Sequence, residues 1–269
     1  MQFSNKQVLI VEDQRPFLLL LKGLMHSMGA SDVVTKSSAE QAVSLCKKHK
    51  FDIVICDLHL GADNKNGYEL IEELRTRRLI SPTSVFILIS ADSARPVVLG
   101  SIERRPDDFL IKPFSQVQLK SRIVRAWQKR QFLQQAFSLV EQGEINSAID
   151  HIEALLDAPS HYKGHCEQLL VELYWRIKQH DKALDVLRDY IDGNPVLCAL
   201  IAIGKTYLLL KEYEKAMSIA KKTLTRNRLN EDANDILAKA HQTTKAGDKT
   251  HVANKESIKT DTSSFTRHF

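Results

Sequence analysis

Five polar side chains stand directly after short apolar runs in this 269-residue chain. Asp57 closes the run Phe51-Asp52-Ile53-Val54-Ile55-Cys56, and Glu12-Asp13 follow Val8-Leu9-Ile10-Val11. Ser90 follows Val85-Phe86-Ile87-Leu88-Ile89, and Lys112 follows Phe109-Leu110-Ile111. Carboxylates gathered in one place repel one another unless a hard cation neutralises them. Mg2+ suits that task, because it takes oxygen ligands and keeps positions open for water and phosphate oxygens. Lysine brings a point charge to a phosphoryl group, and serine brings a hydrogen bond. The set therefore fits phosphoryl transfer onto Asp57, with Mg2+ as cofactor.

This chemistry needs all five groups at one edge, and the intervening segments supply the means. Apolar runs without alternation read as strands covered on both faces, as in a parallel sheet. Gln7 to Val11, Asp32-Val33-Val34-Thr35, the Asp57 run, the Ser90 run and Phe109 to Ile111 give five strands. Between them lie helical patterns. Phe17, Leu20, Leu21, Leu24 and Met28 have helical spacing over Arg15–Met28, with Gly29 as a C-cap. Ser37 with Glu40 three residues later is a capping-box pattern opening a second helix, whose stripe is Ala42, Val43, Leu45 and Cys46. Gly67-Tyr68-Glu69-Leu70 starts a third. Pro96 suits the first turn of a short helix over about Arg95–Glu103. Alternating strands and helices imply right-handed crossovers and a parallel sheet. Ligands of such sheets bind at the carboxyl ends of the strands.

Glu12-Asp13, Asp57, Ser90-Ala91, Phe109 and Lys112-Pro113, in that order and spacing, resemble the receiver domains of bacterial response regulators in two-component systems. The resemblance covers roughly residues 5–125. It implies a doubly wound, five-stranded α/β fold of the flavodoxin-like kind. It also implies an Asp57 phosphoacceptor, a Mg2+ site built from Glu12, Asp13, Asp57 and the backbone carbonyl of His59, and Lys112 and Ser90 on the phosphoryl group. The phosphodonor would be a sensor histidine kinase or a phosphotransfer protein. Phe109 stands where the family often carries a rotamer-switching ring that follows the serine hydroxyl; the alternative is a plain core phenylalanine. The loop after Asp57 departs from the pattern: Gly61 replaces a usual proline, and the loop is about two residues longer. Arg104-Arg105 beside Pro106 reads as a solvated pair.

Hydrophobic residues make up 43% of the chain and charged ones 26%, normal values for a soluble globular protein. The net charge of +5 is spread along the chain. It weakly permits an acidic partner but does not demand nucleic acid, for which a concentrated basic face is expected. Cys46, Cys56, Cys166 and Cys198 lack paired spacing, which argues against zinc and for reduced thiols. No apolar run approaches membrane-spanning length, and no signal-peptide pattern opens the chain. A cytoplasmic protein, away from membranes, is expected.

After Phe114 the strand signal ends. A helix from near Ser115 through Trp127 into Arg130 would lead directly into more helices, without a Gly/Ser/Pro linker. Val171, Tyr174, Ala183 and Leu187 recur 33 residues later as Gly204, Tyr207, Ala216 and Ala220, and Ala136, Leu139, Ala148 and Ile152 form a looser earlier copy. The period and residue types resemble the tetratricopeptide repeat, with about three repeats over 129–229 and a closing helix from Glu231 to His241. Stacked hairpins of that kind hold a peptide or a helix of a protein partner in a groove. His151, His161, His165 and His180 share no helix face at metal spacing, and no nucleophile–base pair occurs in this half. Residues 243–269 are rich in Lys, Thr, Ser and Asp and are expected to be disordered.

The expected architecture is therefore a receiver over 1–125, a tetratricopeptide-like domain over 126–242 and a tail over 243–269. The expected function is a response regulator, not an enzyme acting on other substrates, in which phosphorylation of Asp57 controls protein–protein binding by the repeats. Two alternatives stay open: a scaffold whose receiver is silent, and a nucleic-acid-binding regulator. Homodimerisation is left open too.

Overall fold

The computed structural model describes all residues except 62–64, 92–104, 192, 194, 229 and 244–269. The expected short helix over Arg95–Glu103, Arg104 and almost all of the tail lie outside the described residues. The chain divides into two compact units, Met1–Leu169 and Leu170 onward.

The first unit begins with β1 (Gln7–Val11), α1 (Arg15–Ser27), β2 (Asp32–Lys36), α2 (Ala39–Cys46), β3 (Ile53–Asp57), α3 (Gly67–Thr76), β4 (Val85–Ser90), β5 (Asp108–Ile111) and α4 (Gln116–Phe132). The five strands are all parallel, in the order β2-β1-β3-β4-β5. This is the expected doubly wound, flavodoxin-like receiver sheet. Its strand order reverses at β1, whose neighbours are β2 and β3, and a ligand crevice forms at such a reversal.

Side chains alternate across the sheet with period two. Val8, Ile10, Ile53, Ile55, Ile87 and Ile89 face α1 and α4, where Leu21, Met25, Leu119 and Ile123 complete one core. Leu9, Val11, Val54, Cys56, Leu88 and Phe109 face α2 and α3, where Ala42, Val43, Leu70 and Leu74 complete the other. Burial on both faces explains the unbroken apolar runs.

Helix starts and ends are set by local chemistry. Gly29 has φ 97° just past α1, and its N–H reaches the His26 carbonyl at 2.9 Å, as the expected C-cap requires. The N-cap of α2 is Ser38, one residue later than the expected Ser37, and its Oγ accepts from the Gln41 N–H at 3.3 Å. Both serines have a cap-compatible partner three residues on. The later one is used, and the fully buried Ala39 opens the helix. Capping boxes also start α3 (Asn66 with Glu69) and α4 (Ser115 with Gln118).

At the amino-terminal edge of the sheet, Asp107 precedes β5. Its carboxylate accepts from the Phe86 N–H at 2.8 Å and from Arg130 Nε at 2.5 Å, with Arg75 Nη2 at 3.6 Å. Arg75 also donates to the Ser81 and Ser84 carbonyls, and Arg130 to the Pro82 carbonyl. These side chains are 2–4% exposed. Past α4, the chain enters α5 (Gln134–Gln142) after the single residue Leu133. The Phe137 ring lies 4.3 Å from the Arg130 guanidinium, and Arg78 donates to the Glu141 carbonyl. The first compact unit thus continues past residue 125 through α5 and α6 (Ile145–Leu156).

The rest of the chain is helical among the described residues: α7 (Lys163–Arg176), α8 (His180–Val186), α9 (Arg188–Ile191), α10 (Leu197–Leu209), α11 (Tyr213–Arg226) and α12 (231–243). Three joints share one backbone geometry. Gly143, Lys178 and Lys211 are left-handed, with φ of 86°, 59° and 62°. The N–H of the next residue returns 2.9 Å to the carbonyl of Leu139, Tyr174 and Tyr207 respectively. That is the Schellman closure of a helix. Within the second unit, Trp175 Nε1 donates to Thr206 Oγ1 at 3.1 Å. A Cβ on Gly204 would stand 3.2 Å from Ile236 Cδ1 and 3.4 Å from Ile219 Cγ2, so α10 approaches α11 and α12 closely at that point.

Candidate phosphoacceptor site

β1 and β3 are paired neighbours, so the residues that follow them meet. Glu12, Asp13 and Asp57 each present a carboxylate oxygen, and these oxygens lie within 4.8 Å of one another. Glu12 is fully buried and Asp57 nearly so, whereas Asp13 is exposed. Lys112, directly after β5, reaches across: its ammonium donates to Glu12 Oε2 at 3.0 Å and to Asp57 Oδ2. Asp57 Oδ1 accepts from the His59 N–H at 3.1 Å, and Glu12 Oε1 accepts from the Gln14 N–H at 3.2 Å.

Burial pushes the Glu12 carboxyl up to about 7; the hydrogen bond from Lys112 opposes the shift and the nearby Asp57 charge adds to it. Burial works against the Lys112 ammonium, but its hydrogen bonds to Asp57 and Glu12 outweigh that, and its pKa lies above the ordinary value. One lysine does not neutralise three acids. The remaining charge and the all-oxygen donor set fit a hard divalent cation, and among the described residues no thiol or imidazole joins the three carboxylates.

Asp57 is held from below by a close approach. The Gly67 N–H donates to the Leu58 carbonyl at 2.9 Å. A Cβ on Gly67 would come 2.7 Å from the Asp57 carbonyl oxygen and 2.5 Å from Leu88 Cδ1, so α3 begins where only glycine fits. Ser90 ends β4 and is fully buried; its carbonyl accepts from the Lys112 N–H at 2.8 Å, which ties the β4 and β5 ends together. The peptide bond between Lys112 and Pro113 is cis. His59 is exposed, at the mouth of the loop whose residues 62–64 lie outside the described set. Phe109 is buried in the core shared with Leu60 and Leu88, on the α2–α3 side of the sheet.

Glu12, Asp13, Asp57 and Lys112 are therefore brought together as the spacing predicted, with Ser90 on the adjoining strand end. Phe17 was missed. Its spacing marked it as part of the α1 stripe, yet its ring lies 3.9 Å from Lys112 Nζ. The visible signal was its position four residues after Asp13, in the first turn of the helix that the acidic pair leads into.

Residues 8–124 match the response regulator receiver domain. The chain is 31% identical over 125 residues to the chemotaxis protein CheY of Thermotoga maritima, covering 97% of that protein and 46% of this chain. It is 30% identical over 169 residues to the alkaline phosphatase synthesis transcriptional regulatory protein PhoP of Bacillus subtilis, covering 67% of that protein and 63% of this chain. It spans only 32% of the alginate biosynthesis transcriptional regulatory protein AlgB of Pseudomonas putida, at 28% identity and 57% of this chain. The chain belongs to the response regulator family through its receiver domain. Among the described residues, no helix is long and apolar enough to cross a membrane.

Proposed function

We propose that this chain is a cytoplasmic two-component response regulator that accepts a phosphoryl group on Asp57 and signals through a tetratricopeptide-like helical domain. The observation that carries this reading is the Lys112 ammonium bridging Glu12 and Asp57 beside Asp13. The donor is the phosphohistidine of a sensor histidine kinase or phosphotransfer protein. An Asp57 carboxylate oxygen attacks phosphorus in line, the O–P bond forms as the P–N bond breaks, and the imidazole nitrogen keeps the electron pair. Lys112 moves its charge from the carboxylate to the transferred oxygens, and Ser90 donates its hydroxyl to them. Glu12, Asp13, Asp57 and the His59 carbonyl would hold Mg2+, which supplies positive charge against the phosphoryl oxygens. The protein catalyses only this transfer and its own dephosphorylation, in which water attacks phosphorus, the Asp57 O–P bond breaks and inorganic phosphate leaves. Ser90 and Phe109 form the switch, with Phe109 drawn from its core site toward the space the serine leaves.

We divide the chain into a receiver over 1–125, repeats over 126–242 and a tail over 243–269. Support for the repeats comes from the three matching joints at Gly143, Lys178 and Lys211, and from the burial of Ala148, Ala183 and Ala216 in the helix after each joint. Their partner is a protein or peptide held in the repeat groove, and phosphorylation sets its affinity. The names of PhoP and AlgB describe transcriptional regulators, so a nucleic-acid output is the second reading; steeply salt-dependent DNA binding would favour it.

The test is intact-mass spectrometry after incubation with Mg2+ and acetyl phosphate. One phosphoryl group is expected on the native chain and none on Asp57→Asn. A native chain that gains nothing from acetyl phosphate or from phosphorylated histidine donors overturns the reading and leaves a silent scaffold.

A further inference from the structure

Lys112 carries a flexible four-carbon stem, so something besides its two acids must keep its ammonium aimed. Phe17, in the first turn of α1, provides that third wall. Its ring centroid lies 3.9 Å from Lys112 Nζ, within the range where the negative ring face attracts a cation. Phe114 braces the ring edge to face, with centroids 5.9 Å apart and planes at 88°. Both rings are partly buried against the core of the α1–α4 face, so the brace is anchored in the fold. The Lys112 side chain is left 15% exposed.

An aromatic wall differs from a third acid in one respect. It attracts the ammonium but offers no lone pair. A carboxylate or carbonyl in its place would take a proton of the ammonium and compete with the incoming phosphoryl oxygens. The ring instead leaves those protons for oxygens on the Asp57 side while holding the nitrogen within reach.

We propose that Phe17 is a positioning residue for phosphoryl transfer: its ring, braced by Phe114, holds Lys112 over Asp57 and shields the ammonium from water. The inference rests on the receiver function proposed above. With acetyl phosphate as donor, the Asp57 O–P bond forms while the P–O bond to acetate breaks and acetate leaves with the electron pair.

The experiment uses full-length native protein, Phe17→Leu and Phe17→Tyr. Two quantities are read: the rate of phosphoryl gain from acetyl phosphate with Mg2+, and the metal-free rate of reductive methylation at Lys112, resolved by peptide mass spectrometry. The leucine variant should gain phosphoryl about three- to tenfold more slowly, the range a cation–ring contact of this kind controls. Its Lys112 should be methylated several-fold faster, roughly matching the lost contact. Tyrosine keeps the ring and should restore both, and thermal midpoints show that all three chains are folded. A leucine variant with native rates of both reactions, in a native chain that does take phosphoryl, overturns the positioning role and leaves the receiver reading standing. Failure of tyrosine to rescue also overturns it. A native chain that takes no phosphoryl overturns both.

Discussion

β5 has a buried charged cluster at each end, and the two are built on opposite plans. At its start, Asp107 lies between Arg75 and Arg130, and both arginines also donate to backbone carbonyls around Ser81 and Ser84. At its end, Lys112 lies between Glu12 and Asp57, with Asp13 close by. In the first cluster, backbone oxygens absorb the surplus positive charge. In the second the surplus is negative, and burial holds Glu12 up to about 7. Burial of charge is thus shared by a structural cluster and the candidate phosphoacceptor site. What separates them is whether the fold itself answers the charge.

The largest effect should come from breaking the answered cluster. Asp107→Asn removes the buried carboxylate shared by two buried guanidinium groups and should cost about 3–5 kcal/mol in urea unfolding. Phosphoryl gain on the chain that stays folded should be near native. A loss below about 1 kcal/mol would mean that the other partners of the two arginines satisfy them without Asp107.

The unanswered cluster should show itself through pH. In the proposed site Mg2+ would be held by the Glu12 carboxylate, so below pH 7 the cation would have to displace a proton. Its affinity should fall by up to about tenfold per pH unit between roughly pH 7 and 5, read by calorimetric titration. The metal-free stability runs the other way. The folded chain keeps the Glu12 proton to about 7, whereas the unfolded chain releases it near 4.5. The folded state binds more protons in that window, so its stability falls as pH rises through it. A Mg2+ affinity flat across this range would erase the contrast between the clusters.

The smallest effect sharpens the same point. Glu12→Gln at pH 8 should stabilise the metal-free protein by about 1 kcal/mol while weakening Mg2+ binding, the usual opposition between a strained site and stability. Destabilisation instead would show that the ion pair with Lys112 outweighs the burial of Glu12.

The candidate site was legible because each of its members stands at the end of an apolar run. Once Val8–Val11, the Asp57 run and Phe109–Ile111 are read as parallel strands, their ends must meet. Four of the five strands were legible for the same reason, since unbroken apolar runs have few other uses in a chain with this alternation; β2, with only Val33 and Val34 between polar residues, was read from its place between two helices. Arg75, Asp107 and Arg130 gave no such sign. They lie at a helix end, before a strand and near the end of another helix, and only packing joins them. Phe17 was hidden by an ambiguity of type, since a helical phenylalanine that walls a site has the spacing of one that fills a core. The choice between Ser37 and Ser38 as cap was invisible because both had a partner three residues ahead.

The three left-handed joints have one more consequence. Gly143, Lys178 and Lys211 close their helices with one hydrogen-bond pattern, and Lys178 and Lys211 stand 33 positions apart in the chain. Cutting the chain before each of these two lysines and rejoining the outer ends would set Lys211 where Lys178 stood, after the same tyrosine-bearing helix. The seam would call for no backbone conformation that the native chain lacks. In backbone conformation, the two joints are therefore interchangeable.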